Sequence, residues 1–123
     1  MDLMIPHYIR DKLTPFLHTP FMHNGRTPGG ELDCLGFVVL FYQQFGLDFP
    51  DGDGRPIHRH WFKQEPDRML DGLKALGFPK VKTIEELRPF DLVGFAVARD
   101  IMTHMGVMVS SRHFAHMAPR NGF

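Results

Sequence analysis

Apolar and polar residues follow three different rhythms along this chain. Over residues 7–18, Tyr8, Ile9, Leu13, Phe16 and Leu17 recur at three- and four-residue spacing, which predicts a short amphipathic helix that Pro15 interrupts or ends. Residues 19–31 are rich in Gly, Pro, Asn and Thr and read as a loop. From about Cys34, the run Leu35 to Tyr42 is apolar all round a helical wheel, which predicts a helix central to the core with Gly46 as its C′ residue. Residues 48–55 read as a turn-rich surface segment. Met69, Leu70, Leu73 and Leu76 then predict a second amphipathic helix over about 65–76, with Gly77 as terminator. Thr83 followed by Glu86 is a capping-box pattern for a short helical turn that Pro89 closes. The rhythm finally becomes strand-like over 91–97, 103–109 and 112–117. Helices first and an antiparallel meander afterwards make an α+β domain, with no linker to divide residues 1–123.

Composition narrows the function classes. Apolar residues make up 43% of the 123, ordinary for a globule with one core. Fourteen basic residues balance fourteen acidic ones, so a globally basic nucleic-acid binder is disfavoured. A lone cysteine excludes an intramolecular disulfide and a multi-cysteine zinc site. The longest apolar stretch, 37–42, is too short to span a bilayer, so no membrane insertion is expected. The first seven residues show neither a basic n-region nor a long apolar h-region, and the expectation is cytoplasmic synthesis without a signal peptide.

The chemistry gathers at that cysteine. Cys34 follows Gly29-Gly30-Glu31-Leu32-Asp33, a glycine turn with an acidic cap, and opens the apolar helix. The positive end of a helix favours thiolate, the reactive form. An isolated cysteine is otherwise most often a buried structural thiol. A cysteine nucleophile needs a base and a group to orient that base. His104 and His116 fall in the last two predicted strands, where a hairpin can make them cross-strand neighbours on one face. His113 has the wrong parity to join them. His58-x-His60 is a weak metal pattern that no carboxylate cluster completes, so no metal is expected. Asp51-Gly52-Asp53-Gly54 reads as a turn rather than a calcium loop. His23 and Arg26 either line a groove or are solvated loop residues. Trp61 and Phe62 are core or groove wall.

The blocks Thr19 to Arg26, Asp33-Cys34-Leu35-Gly36-Phe37, Phe90 to Phe95, His104 to Met108 and Phe114-Ala115-His116 together resemble the NlpC family of papain-like cysteine peptidases. The resemblance runs from about residue 7 to the end. It implies a papain-like NlpC fold with the nucleophile at a helix N-terminus packed on a C-terminal antiparallel sheet. It implies Cys34 as nucleophile, His104 as general base and acid, and His116 as the orienting residue. It also implies cleavage of an amide bond of the peptidoglycan stem peptide, with Phe21 beside the substrate groove and Asp33 as the acidic neighbour that caps the helix; with His23 from the loop, these are the expected substrate-binding residues. The cysteine mechanism so implied needs no metal and no organic cofactor. His104 and the helix end are then expected to lower the Cys34 pKa toward neutrality. Phe21 stands where many relatives carry tyrosine, and Phe90 replaces the usual glycine before the Asp-Leu strand. Leu35, where bacterial enzymes often carry serine, is similar to small versions from tailed phages and gene transfer agents. That likeness implies a place in a virion or phage-like tail, with other tail-tip proteins as partners. A structural tail-tip protein that keeps the fold with little or no hydrolytic activity is the alternative.

Overall fold

A computed structural model describes residues 4–77, 83–98, 101–119 and 122–123. The chain opens with α1 (His7–Leu13), which runs into a 3-10 turn over Thr14–Phe16. Pro15 sits in the first positions of that turn, so the predicted helix over 7–18 becomes a shorter α-helix and a tighter coda. Two short strands follow, β1 (Arg26–Thr27) and β2 (Glu31–Leu32), paired antiparallel inside the segment read as loop. Their connection is Thr27-Pro28-Gly29-Gly30, closed by a bond from the Gly30 N–H to the Thr27 carbonyl at 3.0 Å. Pro28 fixes the first corner, and Gly29, at φ +76°, takes the left-handed second corner of a type II turn.

The central helix is α2 (Cys34–Gln43). It stops as expected: the Gly46 N–H bonds the Gln43 carbonyl and the Leu47 N–H bonds the Tyr42 carbonyl, both at 3.0 Å, with Gly46 at φ +75°. A 3-10 turn over Trp61–Lys63 precedes α3 (Arg68–Ala75), which begins after Pro66 rather than at Glu65. Another 3-10 turn covers Ile84–Glu86. The main sheet has the order β3-β4-β5, all antiparallel: β3 (Leu92–Ala98), β4 (Ile101–Met108) and β5 (Phe114–His116). β5 is shorter than predicted because the Ser110 hydroxyl accepts the N–H groups of Arg112 and His113, which turns the chain there.

The core lies between α1, α2 and the sheet. Ile9, Leu32, Phe37, Val38, Phe41, Val107 and Met117 are fully buried. Rings pack edge-on or tilted through it, with Phe16 to Phe37 at 5.0 Å, Phe37 to Phe41 at 5.6 Å and Phe41 to Phe45 at 5.2 Å between centroids. Phe90 extends this row, with its ring 4.8 Å from that of Phe45. It does so at φ +76°, the conformation a glycine adopts without strain, so its ring holds the backbone in an unfavourable well. Among the described residues, no helix is long and apolar enough to cross a membrane.

Candidate active site

The Cys34 end of α2 is built by Asp33. Its carboxylate caps the helix by accepting the Gly36 N–H at 2.7 Å. The same carboxylate accepts the Asn24 N–H at 2.8 Å and a guanidinium N–H of Arg26 at 2.7 Å. Arg26 continues outward. Its other nitrogens grip Asp51 at 2.7–3.0 Å, and its Nη1 also reaches the Gly25 carbonyl at 2.7 Å. One arginine thus ties the loop before the cysteine to the segment after α2. Gly36 is needed for this: a Cβ there would strike the Gly25 carbonyl and lie 3.0 Å from the Arg26 guanidinium. The Asp-Cys-x-Gly block therefore has a structural logic, with the acid as cap and the glycine as the gap for the loop.

Cys34 is half-buried, and its sulfur is met by the backbone N–H of Met105, the residue after His104. The cysteine therefore lies against the His104–Met105 peptide of β4. The two histidines are joined directly, with His104 Nε2 2.8 Å from His116 Nδ1. They are diagonal rather than opposite neighbours, since the residue facing His116 across the ladder is Gly106. A Cβ on Gly106 would sit 3.1 Å from the His116 Cβ and 2.7 Å from the Ala115 carbonyl. The missing side chain lets the imidazoles meet across the diagonal. Phe95 and Phe114 wall the pair, with Phe95 5.5 Å from the His104 ring and Phe114 5.0 Å from the His116 ring. The structure thus brings His104 and His116 into contact and sets Cys34 against the adjoining Met105 N–H, and among the described residues no hydrogen bond joins Cys34 to His104.

Electrostatics here differ from the sequence expectation of a depressed thiol pKa. Burial pushes the Cys34 thiol up to about 11 from its ordinary 9.0, and the neighbouring Asp33 carboxylate adds to the rise. The N–H groups of Met105, Leu35 and Cys34 itself act the other way. Their side does not win. A helix N-terminus is worth about 0.3–1 kcal/mol, whereas the net rise corresponds to about 3 kcal/mol against the thiolate. Burial also pulls His104 down to about 4, with His116 contributing, and burial lowers His116. These shifts favour the neutral thiol and neutral imidazoles near neutral pH, with one imidazole donating an N–H to the other.

A cavity of about 440 Å³ opens over Cys34. Phe21, His23, Asp33 and Leu35 line it from the cysteine side, and Thr103 and Met105 from β4. His23 is anchored as well, donating from its ring Nε2 to the Ile57 carbonyl at 2.9 Å. Trp61 and Phe62 prove to be cavity wall. His113 is a turn residue, its Nδ1 2.7 Å from the Ser110 hydroxyl. The two aspartates of 51–54 are engaged by arginines, Asp51 by Arg26 and Asp53 by Arg55 and Arg68. The Arg68 hydrogen bonds, followed by those of Arg55, hold the Asp53 carboxyl far below the usual range. Among the described residues no three His, Cys, Asp or Glu side chains converge as a metal set. Sequence reasoning left the role of Arg26 open and missed the Met105 N–H. The first has a local signal in an arginine seven residues before the capping aspartate; the second has none, because every residue except proline carries a backbone N–H.

A family profile described as the NlpC/P60 family matches residues 18–122. Among solved structures, a Staphylococcus aureus subsp. aureus Mu50 protein described as similar to lipoprotein, NLP/P60 family, superposes with a TM-score of 0.59 at 20% identity. The match covers 99% of this chain and 36% of that one, so this chain spans about a third of the length of that protein. No curated protein matches this chain.

Proposed function

We propose, on the premise that this chain belongs to the NlpC/P60 family, that it hydrolyses an amide bond of the peptidoglycan stem peptide with Cys34 as nucleophile. The observation that carries this reading is the placement of the Cys34 sulfur, at a capped helix start on the His104–Met105 peptide, beside a bonded histidine pair. His104 is the base. When its Nε2–H donates to His116 Nδ1, its own Nδ1 keeps a lone pair for the thiol proton. Because thiol and imidazoles rest neutral, proton transfer accompanies attack instead of preceding it as a standing ion pair. The proton leaves Sγ for His104 as Sγ bonds the substrate carbonyl carbon. The resulting oxyanion is stabilised by the Cys34 backbone N–H. His104 then gives the proton to the departing amine as the C–N bond breaks. Water, deprotonated by His104, cleaves the thioester and regenerates the thiol.

The wider setting in this proposal is a phage-like tail tip, where the protein aids wall penetration alongside other tail-tip proteins. Leu35 after the nucleophile and the likeness to small tail versions support that setting. A second reading keeps the fold as a structural tail component of little activity. The raised Cys34 pKa and the lack of a Cys34–His104 hydrogen bond among the described residues favour it. Purified protein is incubated with wall sacculi, and released peptides are compared for wild type, Cys34→Ala and His104→Ala. Release by wild type alone supports the enzyme; equal release by all three sinks it and leaves the structural reading.

A further inference from the structure

The wall of the Cys34 cavity that faces the nucleophile from the segment after α2 is apolar. It is made by Phe49, Ile57, Trp61, Phe62, Met69 and Leu73. Phe49 and Met69 also pack against the core, whereas Ile57, Trp61, Phe62 and Leu73 do not belong to it; Trp61–Lys63 and α3 contain no fully buried side chain. The apolar surface that Ile57, Trp61, Phe62 and Leu73 contribute to the cavity lining is left for whatever enters it. Arginines stand at the same wall. Arg59 and Arg68 line both the cavity and an adjoining cleft, and Arg55 lines the cleft. Arg68 is taken by Asp53 at 2.7–2.8 Å, and Arg55 by Asp53 at 3.0 Å and Glu65 at 2.7 Å. Arg59 has no carboxylate partner among the described residues. His58 and His60, which line the adjoining cleft, flank it in sequence.

We propose that Arg59 and this apolar wall form a specificity subsite for a substrate group that joins an alkyl or aromatic surface to a carboxylate. The proposal rests on the reading of Cys34 as the nucleophile. A guanidinium with no carboxylate partner among the described residues, lining a mostly apolar cavity, binds a carboxylate with paired hydrogen bonds and gives that end a fixed position. The apolar wall takes the carbon skeleton beside it. Asp53 and Glu65 support the subsite by occupying the other two arginines, so among the described residues Arg59 is the arginine of this wall without a carboxylate partner.

The single cysteine gives this proposal a readout independent of turnover. Full-length protein is alkylated with anionic iodoacetate and neutral iodoacetamide, and each rate is divided by that of glutathione. The iodoacetate-to-iodoacetamide ratio is expected to fall about two- to threefold in Arg59→Gln at low ionic strength. The drop should vanish at about 1 M salt, and Arg59→Lys should restore the ratio. On the same scale, N-hexylmaleimide should label Cys34 at least about fivefold faster than N-ethylmaleimide. An unchanged ratio in Arg59→Gln, with normal iodoacetamide labelling, overturns the assignment of Arg59. Equal rates for the two maleimides overturn the apolar subsite. Absence of peptide release from sacculi with both labelling effects present removes the hydrolase reading and leaves the subsite standing.

Discussion

Replacing Gly36 by alanine sets two physical effects against each other. Inside a helix, alanine is better than glycine by about 0.8–1.0 kcal/mol. Propensity alone therefore predicts that Gly36→Ala stabilises the protein. Packing predicts the reverse. The new Cβ would strike the Gly25 carbonyl, which is held by the Arg26 guanidinium at 2.7 Å and the Asp33 N–H at 3.4 Å. It would also lie 3.1 Å from the Arg26 Cδ. For the loop to make room, Arg26 must loosen its hold on Asp33, and a hydrogen bond to a charged group is worth about 1.5–3 kcal/mol. Losing one such bond and weakening another costs about 3–4 kcal/mol, and the propensity gain offsets about 1, so the net is about 2–3 kcal/mol destabilising. For a chain of this size that lowers Tm by about 10 °C. Gly72, in α3, is the control, because a Cβ there meets nothing within 4 Å. Gly72→Ala should raise Tm by about 3 °C through propensity alone. Both variants are measured by thermal and urea unfolding. A Tm for Gly36→Ala equal to or above wild type refutes the claim that Gly36 is a gap for the loop.

Other outcomes follow from the same site. Asp33→Asn keeps an oxygen for the Gly36 N–H but removes the charge that raises the Cys34 pKa; the pH midpoint of iodoacetamide labelling should move down, and an unmoved or higher midpoint counts against that electrostatic role. His104 titrates at about 4 when folded and near 6.5 when unfolded, so the unfolded chain binds more protons between those values. Stability should accordingly be full above about pH 6.5 and fall as pH drops toward 4, by about 1–2 kcal/mol after allowing for the partial exposure of the ring. The urea midpoint of His104→Asn should lose less than wild type over that range, and parallel losses refute the assignment. At Phe90, glycine removes the ring and relieves the backbone, whereas alanine removes the ring and keeps the strain. Both variants should be less stable than wild type, with Phe90→Ala below Phe90→Gly by about 1 kcal/mol in urea unfolding; the opposite order would show that the φ of +76° is not strained.

The legible part of this molecule is the part set by neighbours in sequence. The apolar run after Cys34 gave α2, and Gly46 its end, because periodicity and a left-handed C′ residue act within a few positions. Asp33 was readable as a cap for the same reason. The β1–β2 hairpin was missed although Thr27-Pro28-Gly29-Gly30 is a local signal, because two-residue strands are too short to show alternation. The histidine spacing announced a pair, but its diagonal geometry depends on the bare Gly106 and on the strand register.

Sequence by itself determined the α+β order of elements, the helix start that carries Cys34 and the candidacy of His104 and His116. Those depend on hydrogen-bond caps and side-chain periods that act locally. Tertiary structure alone decided that burial raises the Cys34 pKa, that Arg26 links Asp33 to Asp51 and that Phe49, Ile57, Trp61, Phe62, Met69 and Leu73 help wall the cavity. Each of these depends on how much water is excluded and which charges come close, and both are set by segments far apart in the chain.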